Sequence, residues 1–195
     1  MARIGVDNLY AFELLQDNAE GVRYGEPFKV ARTISINVNP QASEASLHAD
    51  DTVVEYISSI TAYDITIEVD QLSTEVKGKL LGYEPDENGV IIDDNKHNAP
   101  EVAVAFRSRR SDGEYEYRVL YKVRFNPTED RYETQGDSIN FQTPTITGKS
   151  MSLEHNDSYG AQMIGTAQNK AVQDKWFTEP YGSFAKGTAS TVSGK

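Results

Sequence analysis

Residues 114–125 alternate in polarity with a period of two. Tyr115, Tyr117, Val119, Tyr121, Val123 and Phe125 hold the odd positions, and Glu114, Glu116, Arg118, Leu120, Lys122 and Arg124 the even ones. Successive side chains of a strand point to opposite faces, so this pattern specifies a half-buried strand with the odd residues in a core and the even ones in water. The same period recurs from Tyr63 to Asp70, where Tyr63, Ile65, Ile67 and Val69 alternate with Asp64, Thr66, Glu68 and Asp70. The wet faces of these two strands carry opposite charge. Shorter strands are predicted at Leu9–Leu15, at Thr33–Val38 with Ile34, Ile36 and Val38 inward, and at Glu101–Arg109 with Val102, Val104 and Phe106 inward. Ser111-Asp112-Gly113 joins the last of these to the strand from Glu114, and Asp-Gly supplies the positive backbone torsions of a tight hairpin. A further strand is predicted over Ser138–Thr147, where Pro144 either ends it or confines it to a sheet edge.

Helical signals are few. Ser73–Leu81 starts on a capping serine, places Leu72, Val76, Leu80 and Leu81 near one face, and stops at Gly82. A second helix is predicted within Gly165–Phe177, which carries Ala167, Ala171, Val172 and Trp176. Several strands, one helix, more strands and a late helix make an α+β or mostly β domain, and hairpin-joined strands favour an antiparallel sandwich or barrel. Two stretches fall outside such a minimal domain. Asn39–Ser59 is predicted as a loop that is long for a hairpin connection, yet Leu47, Val53, Val54, Tyr56 and Ile57 give it too much apolar surface for a solvated linker. Contact with a partner surface would order it. Tyr181–Lys195 is rich in Gly, Ser, Thr and Ala and is predicted to be a flexible tail.

The chain has 195 residues, 38% of them hydrophobic, with a formal net charge of −11. That is one domain's worth of chain, with enough apolar residues for a core. No window approaches the roughly 18 uninterrupted apolar residues of a membrane span. Met1–Tyr10 lacks the basic start and apolar run of a signal peptide, so the expectation is a protein made and kept in the cytosol without a membrane partner. With no cysteine, the chain has no disulfide scaffold, thiolate metal site or cysteine nucleophile. Residues 1–100 hold 7 basic and 18 acidic side chains, and residues 101–195 hold 12 of each, so the whole excess lies in the first half. Carboxylates repel phosphate, which disfavours sequence-specific DNA binding. The imbalance is either a solvated surface that keeps the chain soluble or one acidic face of an assembly.

Catalytic and metal-binding patterns are absent. His48, His97 and His155 each lack a second ligand-type neighbour at metal spacing. Glu84–Asn95 has carboxylates and amides of the kind calcium favours, but with Asp86 as first ligand the twelfth position is His97 and not the required glutamate. No phosphate-binding glycine loop and no Gly-x-Ser-x-Gly elbow occurs. A glycosidase would bring more aromatics to a sugar groove than the single Trp present here. Arg107, Arg109 and Arg110 form the one basic cluster and are expected to pair across strands with Glu114 and Glu116. The expectation is a non-enzymatic protein without cofactor or metal.

The order and spacing of several segments carry a resemblance. These are Leu9-Tyr10-Ala11, Leu47-His48-Ala49-Asp50-Asp51, Leu80-Leu81-Gly82, Val102-Ala103-Val104-Ala105-Phe106-Arg107, Tyr121-Lys122-Val123 and Phe141-Gln142-Thr143-Pro144. From about residue 5 to 180 the chain resembles the major tail protein, or tail tube protein, of long non-contractile-tailed phages of Gram-positive bacteria. The resemblance implies a mostly β fold, a β-sandwich or barrel with one or two flanking helices. Residues 1–180 would be one tube-forming domain and 181–195 its flexible tail. It implies a structural virion protein found in the phage tail, and in host cytoplasm before assembly. Such a protein forms hexameric rings that stack around the tape measure protein, meet tail terminator and tail tip proteins, and give DNA a non-sticky passage at ejection. Under it the 39–59 loop becomes an inter-subunit arm bearing Glu44, Leu47, His48, Asp50, Asp51, Val54 and Tyr56. Asp64, Glu68 and Asp70 become candidates for the lumen wall, and sheet edges would pair between subunits. A receptor- or carbohydrate-binding β-sandwich of a phage tail tip is the alternative, favoured if the His48 region and Glu84–Asn95 shared one concave site.

Overall fold

Alternation along the chain resolves, among the described residues, into eight strands: β1 (Arg3–Asn18), β2 (Gly21–Lys29), β3 (Thr33–Ala49), β4 (Thr52–Val69), β5 (Glu101–Arg110), β6 (Tyr115–Phe125), β7 (Thr145–Met151) and β8 (Gly160–Ile164). Helix α1 (Thr74–Leu81) follows β4, and a 3-10 turn over Ala167–Asn169 leads into α2 (Lys170–Lys175). The computed structural model describes residues 1–49, 52–84, 86–92, 98–127, 134 and 142–182. All strand pairs are antiparallel, in the order β2-β1-β5-β6-β7-β4-β3, and β8 also pairs with β6. This is the mostly β architecture expected, with two short helices.

The predicted β5–β6 hairpin forms as read. Gly113 takes φ 90°, its N–H donates to the Arg110 carbonyl at 3.1 Å, and the Asp112 carboxylate accepts the Glu114 N–H at 3.2 Å. Strand β6 departs from the simple reading in one respect. Val102 faces Val123 but Val104 faces Leu120, so β6 carries an extra residue that reverses its facing direction. Tyr117, Val119 and Tyr121 therefore pack into one cluster, while Leu120, Val123 and Phe125 pack into another. Lys122, expected on the wet face, is buried. The strand is covered on both sides, as is β5, where Val102 to Phe106 are all buried.

The sheet curls around the larger cluster. Leu9 and Ala11 of β1, Ile65, Ile67 and Val69 of β4, and Ile146 of β7 meet β5 and β6 there, and β1 and β3 touch across the opening. Helix α1 supplies Leu80 and Leu81 to the same core. Its ends are fixed as predicted: the Ser73 hydroxyl accepts the Val76 N–H, and Gly82 takes φ 78° and donates to the Gly78 carbonyl. A Cβ at Gly82 would lie 2.4 Å from the Asn98 carbonyl oxygen, so both conformation and space require glycine. The second cluster lies on the opposite face, where Trp176 beside α2 packs with Phe12, Tyr117, Tyr121 and Leu153.

Three expectations change. Residues 39–59 are not a loop: β3 and β4 continue through them as one long hairpin. Strand β7 begins only after Pro144 and lies inside the sheet between β6 and β4, so the proline marks its start and not an edge; residues 138–141 lie outside the described residues. Ile34 sits at an irregularity between Thr33 and Ser35 and is exposed. The predicted tail lies outside the described residues from 183 onward.

Candidate assembly surface

The β3–β4 hairpin is the feature that a lone domain does not explain. Strand β7 supports β4 only from Tyr63 to Glu68, whereas β3 and β4 stay paired from Gln41↔Ala62 out to Ala49↔Thr52. At roughly 3.3 Å per residue the stretch from Gln41 to Ala49 reaches about 30 Å. Leu47, Val54, Tyr56, Ile57 and Ile60 are all exposed along this arm, with Val54 at 63% and Ile60 at 44%. Exposed apolar side chains on a two-stranded ribbon gain nothing in water, and a free ribbon of two strands is itself marginal. The arm needs a surface to lie against.

The sequence-predicted residues divide between the two faces of the ribbon. Register places Glu44, Ser46 and Tyr56 on one face and Ala45, Leu47, Glu55 and Ile57 on the other. Glu44 accepts a hydrogen bond from the Tyr56 hydroxyl, which raises that hydroxyl's pKa. Val54 is the residue skipped where Leu47↔Glu55 gives way to His48↔Val53. His48 is placed by its backbone pairing alone, and Asp50 and Asp51 lie outside the described residues. Between residues 33 and 76 the sequence has eight carboxylates and no Lys or Arg, so the acidic excess centres on this hairpin.

Below the arm, the outward face of the same strands is almost free of apolar groups. Ser35, Asn37 and Asn39 of β3 lie beside Glu68, Thr66 and Asp64 of β4, which lie beside Thr145, Thr147 and Lys149 of β7. Lys149 adjoins Arg124 on β6, and Arg124 pairs with Glu101 at 3.0 Å. Asp64 accepts from the Gln41 amide at 2.7 Å, and Glu68 accepts from the Ser35 and Thr143 hydroxyls at 3.2 and 2.6 Å. Asp70 stands just past the end of β4 and caps its own turn through the Gln71 N–H. Hydroxyl and amide groups with alternating charges make this face, where the sequence pattern had marked only the carboxylates.

The long, open edge of β3 contrasts with the other edge of the sheet. Strand β2 breaks its edge with Pro27, Arg23, Glu26 and Lys29, the usual devices against strand addition; β3 is longer and has only Pro40 and a single charged residue, Glu44. Two free edges of different composition suit head-to-tail pairing of identical copies.

Nothing on the described surface resembles a catalytic or metal centre. Among the described residues no three of His, Asp and Glu could hold one metal ion. Asp86, taken as the first ligand of the calcium-like stretch, accepts the Asn88 and Val90 N–H groups at 2.8 Å in a local turn, and these bonds lower its pKa. The basic cluster is structural, with partners other than those expected. Arg107 makes a two-pronged contact with Asp7 at 2.6 and 3.0 Å and lies over the Tyr115 ring, Arg110 pairs with Asp112, and Glu116 is held by Arg3. The shared concave site of His48 and Glu84–Asn95 would include residues 85 and 93–95, which lie outside the described residues.

The family model for phage tail tube protein matches residues 20–189. This chain belongs to the phage tail tube protein family. No curated protein matches it in sequence. A tail tube protein is a structural component of a virion tail that self-assembles into a tube, and a projecting apolar arm with open sheet edges is what self-assembly requires of the free subunit. Two elements of the sheet are not readable in the sequence. The β2 edge, rich in Gly, Pro and charge, has no clean alternation, and β8 is too short to register as a strand.

Proposed function

We propose that this tail tube protein forms closed, hexameric rings that stack into the tail tube, with the β3–β4 hairpin as the arm joining subunits. The observation that carries the reading is the unsupported arm with five exposed large hydrophobic residues. Within a ring, the free β3 edge of one copy meets the free β2 edge of the next, extending the sheet around the channel. The hydroxyl- and amide-rich face containing Asp64, Thr66, Glu68, Thr145 and Thr147 lines the lumen, with Asp70 at its rim. Such a wall offers phosphate few cations to displace counterions and offers bases no apolar platform, so DNA slides past it. The tape measure protein occupies the channel until ejection, and tail terminator and tail tip proteins close its two ends. The subunit waits in the host cytoplasm until assembly.

Negative-stain electron microscopy of concentrated protein, alone and with tape measure protein, tests this reading. Rings or tubes about 10 nm across, two domain diameters plus a channel, are expected. Monomers under every condition would refute it.

A further inference from the structure

Strand β6 carries two neighbours on one edge: β8 pairs with Glu116–Leu120 and β7 with Lys122–Phe125. The sheet forks between them, beside the root of the arm. Tyr159 bridges the fork, its carbonyl accepting the Tyr121 N–H of β6 and its hydroxyl donating to the Ile60 carbonyl at 3.0 Å. In the fork lies a polar pocket of about 380 Å³ lined by Tyr63, Arg118, Asp157, Ser158, Tyr159 and Gln162 among others. Arg118 is half-buried there, its guanidinium 5.7 Å from the centre of the Tyr63 ring. It forms no ion pair among the described residues, although Arg3, Arg107, Arg110 and Arg124 all do. Burial is the largest influence on its pKa and lowers it, against the weaker opposing pull of Tyr63 and Glu116. A desolvated guanidinium with open donors is built to receive a carboxylate in a two-pronged bond.

We infer that the Arg118 pocket is the receptor for the β3–β4 arm of another copy, with Glu55 as the carboxylate that pairs with Arg118. The inference rests on the tube reading and specifies its contact. The arm supplies only negative charge, and Glu55 is exposed near its outer end, flanked on the same face by Leu47 and Ile57. Its own pocket lies at the root of the arm, so a straight ribbon about 30 Å long carries Glu55 away from it and toward another subunit. Donor and receptor are different places on one chain. Such a heterologous contact does not saturate in a dimer and repeats from copy to copy, as a tube needs.

The absence of cysteine allows a direct test. In E55C/Q162C, Gln162 being the exposed β8 residue opposite Arg118, mild oxidation of assembled protein should give a ladder of covalent oligomers on a non-reducing gel, and monomers should give none. R118E should stay monomeric with an unchanged circular dichroism spectrum, as should E55R, and the double reversal R118E/E55R should restore assembly. Wild-type tubes together with an intramolecular crosslink, no crosslink, or full polymerisation of R118E would overturn the docking and leave the tube reading standing. Failure of the wild type itself to polymerise would overturn both.

Discussion

Lys122 shows how one side chain can hold several segments together. Its ammonium lies 2.9 Å from Asp17, 3.2 Å from Glu154 and 3.6 Å from Glu101, and the Lys122 and Asp17 side chains are only 8% and 5% exposed. Asp17 also accepts the Glu154 and His155 N–H groups at 2.9 and 3.2 Å, so the end of β1, the middle of β6 and the turn after β7 are pinned at one point. Removing one partner of a buried pair leaves the other charged and unsatisfied, so Lys122→Met should destabilise the subunit by about 3–5 kcal/mol, read as a lower urea midpoint. Asp17→Asn combined with Lys122→Met should recover part of that loss. The same site sets an acid limit. Burial alone would raise the Asp17 pKa, but the Glu154 N–H, Lys122 and the His155 N–H outweigh it and hold the value below the ordinary one. Glu116 is lowered as well, chiefly by its hydrogen bond from Arg3. Carboxylates with lowered folded-state pKa values favour the folded state fully above their unfolded value of about 4 and lose that contribution as pH falls through the folded value. The Tm should therefore drop steeply below about pH 4, and D17N should have a flatter acid profile; equal profiles for the two proteins would remove Asp17 from this role.

At the scale of elements, the arm separates from the domain that carries it. Its described residues between Ser43 and Ser59 contribute nothing to either buried cluster, and Ser43 faces Ser59 directly across the ribbon. Replacing 44–58 by Asn-Gly should close a tight hairpin there and leave a folded monomer with native circular dichroism and a Tm within a few degrees of wild type, unable to polymerise. Tubes of normal length from this variant would remove the arm from assembly. The strands that form the core were legible wherever one period ran unbroken, as in Tyr63–Asp70 and the β5–β6 hairpin, and so were both ends of α1, whose Ser73 and Gly82 act locally. What was hidden depends on distant partners. The bulge that buries Lys122 is set by the β5 register, the burial of β5 on both faces by Trp176 and its neighbours, and the pairings Arg107–Asp7 and Arg3–Glu116 by β1 lying beside β5. The 39–59 stretch read as a loop because its alternation is weak: apolar residues occur on both faces, the composition of a ribbon meant to be covered on both. The Arg118 pocket was hidden for a similar reason, since only the fork between β7 and β8 deprives that arginine of solvent and of a partner.

For the whole molecule, charge placement decides what a tube made of these subunits does to DNA. A net charge of −11 per subunit gives a tube of these subunits a strong negative field, yet the face proposed for the lumen holds Lys149 and Arg124 beside Asp64, Glu68 and Glu101. Its low adhesion then comes from two sources: long-range repulsion by the subunit's total charge and the small number of cations where phosphate would arrive, Arg124 being held by Glu101 and Lys149 standing across from Asp64. Thr66 and Thr147, directly opposite one another on β4 and β7, occupy the centre of that face and carry no charge. Thr66→Lys with Thr147→Lys should leave folding and tube assembly intact, because Thr147 is exposed and Thr66 faces away from the core. In a closed ring the added cations face one another around the channel, and a duplex entering it meets many at once. Variant tubes should retain short duplex DNA in co-sedimentation at low salt, where wild-type tubes leave it in the supernatant. Each lysine that reaches a phosphate should add about 0.9 to the slope of log affinity against log salt. Retention by wild-type tubes, or none by the variant, would show that this face does not line the channel.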